Sequence, residues 1–416
     1  MRSVVVLVVA NILAALLVGC DSEPEASSPT IAATVVSMTP EVTSSATPPG
    51  APGPGTFETL LGWVSQDLLA DPGWDTVASV SMGDIEAWRE ASGNPAPGTL
   101  EGEVDDLEAW AASEPGHATA WNTTGFARWF LGVPDRGFPM EGMGLSERTT
   151  DALGFGRRDI DAFAVQFGWH LGVQEPYGVM TGDFDPDGIN SAIEACSECE
   201  PVTIEEVAGT RVYIWGDDEP NPALADALPI FMDDGRGGAL AVFEDRVVRT
   251  MDLDAMRSAL EGPTLAELDG WPPAARVLDE ADALYAQFIA PSDVCCGIPS
   301  LMGPKWLEEG ELPLLDPWLV LASGGRNDED GPVTLFVLSY PDEGVAGANV
   351  DRMEERLAAV PDDHFVGLGT EPRWGDIVTS TDVASQGAML VVTVRGIALA
   401  GFGPGDFRSL FWADWP

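Results

Sequence analysis

Residues 202–207 and 210–215 are rich in Val, Ile, Thr and aromatic side chains, and only Ala208-Gly209 separates them. Residues 239–243 and 246–250 are likewise separated only by the short polar step at Glu244-Asp245. A connection this short joins antiparallel neighbours, because a parallel return needs a crossover of a dozen residues or more. Residues 388–394 and 396–400 read as a further hairpin about Arg395, and single strands are expected at 177–182, 318–322 and 333–339. Apolar residues at helical spacing predict helices over 57–70, 104–112, 157–167, 187–195, 253–260, 272–289 and 349–360. Asp84 stands where it would cap a helix over 85–90. Hairpins with helices between them predict an α+β fold with an antiparallel sheet, not a doubly wound parallel one. The part up to about residue 165 leans to helix, and strand, helix and hairpin recur in similar order after Pro313, as in a degenerate internal duplication.

Charge narrows the partners. The 416 residues carry 20 Lys+Arg against 68 Asp+Glu, a formal net charge of −48. Phosphate contacts need a basic surface, and Lys305 is the sole lysine, so nucleic acid is excluded as a partner. The apolar fraction of 45% supplies enough core-forming surface to exclude a wholly disordered acidic chain. With only His117, His170 and His364, histidine-based catalysis and zinc binding have few ligands to draw on.

The N-terminus sets an address. Arg2 precedes an apolar run over residues 4–18, interrupted only by Asn11 and shorter than the ~20 residues of a comfortable membrane span. The run ends in Leu17-Val18-Gly19-Cys20. A small residue followed by cysteine at that place resembles the lipobox of bacterial lipoproteins. The resemblance implies a signal peptide over 1–19, cleavage before Cys20, acyl chains such as palmitate on that residue, and a membrane anchor facing the periplasm or the cell exterior. Two or more acyl chains hold firmly where one is marginal. Residues 20–55 then run in Ser, Thr, Pro, Ala and Gly and read as a tether with a reach of ~30–35 Å. The folded body is expected as α+β domains over 56–300 and 301–416, loosely similar in layout to other bacterial lipoproteins with α+β ectodomains.

Four cysteines follow the anchor: Cys196, Cys199, Cys295 and Cys296. An even number in an exported chain favours disulfides, and strain between adjacent cysteines favours bonds from the 196/199 pair to the 295/296 pair. A redox Cys-x-x-Cys reading is opposed by its place at a helix C-terminus among Glu194, Glu198 and Glu200, which raise a thiol pKa. A four-cysteine zinc site is opposed by the adjacency of Cys295 and Cys296.

Residues 183–194 fit the D-x-D-x-D-G-x5-E spacing of a calcium loop. Asp183, Asp185, Asp187, the Ile189 carbonyl and Glu194 would supply oxygen ligands, and Gly188 the sharp turn. Against this, Asn190 stands where such loops carry an apolar residue, and the segment before Asp183 reads as a strand. The alternative is a strand-to-helix turn in which Asp185 or Asp187 caps the helix.

The sequence contains no Gly-x-Ser-x-Gly elbow, P-loop, dinucleotide fingerprint or His-Glu-x-x-His. The expectation is therefore a lipid-anchored, non-catalytic binding or interaction module with a protein or glycan ligand and no cofactor other than calcium. The alternatives are a calcium-dependent adhesion or polysaccharide-binding lipoprotein and a carboxylate-based hydrolase.

Overall fold

The computed structural model describes residues 55–66, 79–87, 155, 159–170, 173–196, 202–215, 238–250, 252–290, 313–328, 331–362, 374–396 and 411. Side-chain surroundings are described throughout these except at 79, 165–177 and 327. Residues 53–416 form one compact unit.

The fold is α+β. Its strands are β1 (Ser79–Asp84), β2 (Ile160–His170), β3 (Val173–Gly182), β4 (Val202–Val207), β5 (Thr210–Trp215), β6 (Gly238–Val242), β7 (Arg246–Thr250), β8 (Tyr285–Ile289), β9 (Val320–Asp328), β10 (Gly331–Ser339), β11 (Ser380–Gln386) and β12 (Met389–Arg395). All twelve lie in one sheet, in the order β11-β12-β10-β9-β8-β1-β2-β3-β7-β6-β5-β4. Every adjacent pair is antiparallel. The boundary expected at residue 300 falls between β8 and β9, which pair from Tyr285↔Gly325 to Ile289↔Leu321.

The order contains a repeat. β1, β2 and β3 form a meander, a helix follows, and the last strand of the next hairpins, β7, returns beside β3. β8, β9 and β10 form a second meander, helices follow, and β12 returns beside β10 with β11 outside it. The two units meet through β1 and β8, in register from Ser79↔Ile289 to Gly83↔Tyr285.

Helices cover both faces. On the first face lie α1 (Thr56–Leu61), α3 (Leu253–Glu261), the 3-10 turn Leu265–Glu267 and α4 (Trp271–Glu280). On the second lie α2 (Pro186–Ala195), over one half, and α5 (Glu343–Ala348), α6 (Val350–Ala358) and α7 (Trp374–Ile377), over the other. Local chemistry sets their starts. The Asp252 carboxylate accepts from Ala255 N at 2.7 Å, and Asp342 from Val345 N at 2.9 Å, each satisfying an orphan N–H of a first turn. Gly55 gives α1 no capping side chain, so Asp279 of α4 does the work, accepting from Phe57 N at 2.9 Å and Glu58 N at 3.1 Å. Burial raises the Asp279 carboxyl, and these two N–H groups partly counter that. α4 begins after Gly270 at φ +86, where a Cβ would run into Ser339 and Leu319. Among the described residues no helix is long and apolar enough to cross a membrane.

Several sequence expectations need correction. Residues 157–167 are not a helix: 160–170 form β2, whose Ala162, Phe163 and Ala164 are all buried because helices press on both faces, so two-residue alternation is lost. The helix expected over 272–289 ends at Glu280. The chain then turns through Asp282 at φ +53 and enters β8, buried along its whole length. β12 does not fold back about Arg395. Its hairpin partner is β11, reached through Gly387 at φ +58. The helix expected over 57–70 stops at Leu61, and that over 349–360 is preceded by a separate helix, α5. Asp84 ends β1 and accepts from Ala87 N at 2.8 Å, at the head of the helical turn expected there. The stretches at 104–112 and 397–400 lie outside the described residues.

Candidate functional site

The candidate calcium segment is a strand-to-helix turn. β3 ends at Gly182, and Pro186 opens α2. Pro at a first helical turn lacks only an N–H that has no partner there anyway, so the helix starts in mid-motif. Asp185 is the N-cap residue by position, with extended backbone, and its side chain makes no capping hydrogen bond. Helical winding spreads the expected ligands: Asp187 and Glu194 are separated by ~10 Å of helix rise. Glu194 instead meets Arg211 of β5 at 2.7 Å, with the Tyr213 hydroxyl 3.3 Å from the same guanidinium. Burial pushes the Tyr213 hydroxyl above its ordinary value, against the pull of Arg211. Ile189 is buried, with Ile193, against Met180, Phe184, Tyr213 and Trp215. Among the described residues no group of three or more His, Cys, Asp or Glu gathers to hold a metal.

Cys196 follows α2 directly and is disulfide-bonded. Cys20, Cys199, Cys295 and Cys296 lie outside the described residues.

A different site comes from the other end of the sheet. A cleft of about 370 Å³ opens between α6, α7 and the start of β11. Leu357 and Trp374, both buried, belong to the apolar cluster beneath it, while Glu354 lines its helix side and Asp382 belongs to its strand wall. Thr379 and Val383 complete the strand side. On the first face of the sheet, Arg395 and Arg326 clamp Asp328 at 2.9 and 2.7 Å across the ends of β12 and β9. Burial alone would raise the Asp328 carboxyl, but hydrogen bonds from Arg395 and Arg326 outweigh it and hold the group below its ordinary value.

Sequence reasoning missed this cleft, since its walls come from three separate stretches. One signal was available: Gln386-Gly387-Ala388-Met389 is a turn between residues 380–386 and the apolar run that follows.

No family model and no curated protein matches the chain. Among solved structures it is similar to crystal form I of TP0453, at 10% identity and a TM-score of 0.32, over 85% of this chain and 97% of that one. Crystal form III of TP0453 is similar at 10% identity and a TM-score of 0.29, over 82% of this chain and 95% of that one.

Proposed function

We propose that this chain is a lipid-anchored extracytoplasmic protein whose folded body is a non-catalytic binding or interaction module. The observation that carries the anchor is Leu17-Val18-Gly19-Cys20 at the end of the apolar run, followed by a Ser/Thr/Pro/Gly tract leading to the first helix at Thr56. In this reading the thiol of Cys20 carries the acyl chains and the tether holds the body away from the bilayer. The disulfide at Cys196 supports it, since such bonds persist in oxidising compartments. The cleft beside β11 supports the binding role: it is open, mixed in polarity and built on regular elements. Metabolic labelling with an alkyne fatty acid in a bacterial host tests the anchor. Labelling of the wild type and its loss in Cys20→Ser, with release of that variant from membranes, is the expected result. A Cys20→Ser protein that still carries label overturns it.

A further inference from the structure

Among the described residues the two outer strands, β11 and β4, have unpaired edges. β11 is exposed at Ser380, Thr381, Asp382, Ala384, Ser385 and Gln386, and among the described residues nothing pairs with its outer side. The ladder fixes which residues face out. Gly396 N donates to Pro332 O at 2.9 Å, and Tyr340 N to Ala388 O at 2.9 Å, so even-numbered residues of β12 bond to β10 and odd-numbered ones to β11. Their β11 partners are even-numbered, from Gln386↔Met389 to Ser380↔Arg395. Alternation then leaves Thr381, Val383 and Ser385 with N–H and C=O directed outward. Val383 pairs with Val392 and packs on the second-face cluster, so these same residues share the face on which α6 and the cleft lie.

Sheets guard open edges with charge, proline or distortion. β4 is guarded by Glu205 and Glu206, with Arg257 held at 3.4 Å from Glu205. β11 carries one charge, Asp382, which alternates with Val383 onto the opposite face, whereas Glu354 of α6 lines the cleft. A sparsely charged edge beside a cleft lined by Glu354, on a chain of net charge −48, selects for a cationic strand. A second copy of this chain would bring like charge to the same edge.

We infer that the outer edge of β11 receives an extended peptide of a partner protein as an added strand, with Lys or Arg side chains at alternate positions entering the cleft beside Glu354. Backbone hydrogen bonds to Thr381, Val383 and Ser385 supply affinity, and the cleft supplies the preference for a cation. The inference deepens the reading of the body as an interaction module and is independent of the anchor: Cys20 acylation is a separate readout, and its failure leaves this one standing.

The test uses the full-length protein in a non-ionic detergent and a fluorescent, end-blocked peptide of alternating lysine and valine as long as β11, followed by anisotropy. Ser385→Pro removes one outward N–H without touching the β12 ladder, and proline is tolerated on edge strands. It is expected to weaken binding about tenfold, the effect of one lost backbone hydrogen bond. Glu354→Gln, on the surface, should weaken binding several-fold and flatten its dependence on salt. Glu206→Pro on β4 is the matched control and should leave binding unchanged. A glutamate–valine peptide should not bind. The inference is overturned if the lysine–valine peptide fails to bind, or binds Ser385→Pro and Glu354→Gln as it binds the wild type. It is equally overturned if Glu206→Pro abolishes binding, or if Ser385→Pro abolishes only a self-association of the protein seen in sedimentation.

Discussion

The two faces of the sheet are built on different plans. On the first, one apolar cluster touches every strand except β11, from Met389 on β12 through Val337, Phe288, Val80 and Val179 to Val207 on β4. On the second, two clusters stand apart. One gathers α2 with Tyr213, Trp215 and Leu240, and the other gathers α5, α6 and α7 with Trp318, Phe336 and Leu338. The gap lies on the central strands. Ser81, Gln287 and Ser323 are register partners in one row across β1, β8 and β9, and all three are buried. In the next row stand Gly83 and Gly325, where a Cβ would strike the rings of Phe163 and Tyr285 respectively. Small and polar residues interrupt the apolar surface where the two repeats meet. The first face therefore unites the repeats, and the second keeps a separate core for each.

Breaking the uniting face should cost most. Trp271 of α4 is 3% exposed and stacks on Phe288 of β8, with ring centroids 5.6 Å apart, directly under the junction. Trp271→Ala should destabilise the protein by ~3–5 kcal/mol. Denaturant unfolding should still show one transition shared by far-UV and near-UV circular dichroism, because both repeats rest on the same cluster. Separate transitions in the two signals would refute the single-core account. Next come the divided cores. Ile193→Ala in α2 and Met353→Ala in α6 each remove a buried side chain, at a cost of ~2–5 kcal/mol. Because the two clusters share no members, the double variant should be additive within ~0.5 kcal/mol. A larger coupling energy would mean that the clusters communicate across the central strands.

A smaller effect separates the repeats by pH. Arg395 and Arg326 hold the Asp328 carboxyl below its ordinary value, so the folded state binds that proton less readily than the unfolded chain. The sign follows: the clamp contributes in full above the ordinary carboxylate value and is lost as pH falls through the depressed one. All three partners are partly exposed, so the contribution is modest. Hydrogen exchange of β9, β10 and β12 should rise below about pH 4 in the wild type relative to β5 and β6. In Asp328→Asn that acid-dependent difference should disappear, and its persistence would assign the acid sensitivity elsewhere.

What the sequence disclosed follows a physical line. The hairpins at 202–215 and 238–250 were legible because each turns locally, the first through Ala208 at φ +52 and Gly209 at φ +77 and the second through Glu244-Asp245, where Phe243 N donates to Arg246 O at 2.8 Å, so strands that neighbour in sequence pair. α2 was legible from Ile189 and Ile193 on one side. β2 and β8 were not, because covered on both faces they lose the alternation that marks a strand. β11 hid for the opposite reason: an exposed, polar edge strand carries no apolar signal at all. The pairings of β1 with β8 and β3 with β7 join residues far apart in sequence, and no local pattern encodes them. The same limit applied to function. The Asp-rich spacing at 183–194 was visible, and from Pro186 onward it is wound into α2, whereas Glu354, Trp374 and Asp382 come to line one cleft only after folding.

The gap itself gives the smallest and most pointed prediction. The Ser81 and Ser323 hydroxyls are buried with no hydrogen-bond partner among the described residues. A buried hydroxyl without a partner costs ~1–3 kcal/mol, and removing it recovers part of that. Ser323→Ala should therefore be neutral or stabilising by up to ~1 kcal/mol, although nearly every other core truncation destabilises. Its volume change is slight, so the two second-face clusters should remain separate and the additivity of Ile193→Ala with Met353→Ala should persist in its background. Ser323→Val adds apolar atoms in the same row, next to Phe336 in register, and should begin to couple them. If Ser323→Ala instead lowers stability by a kilocalorie or more, the hydroxyl is satisfied in solution, and the polar row is a bonded network joining the repeats, not a division between them.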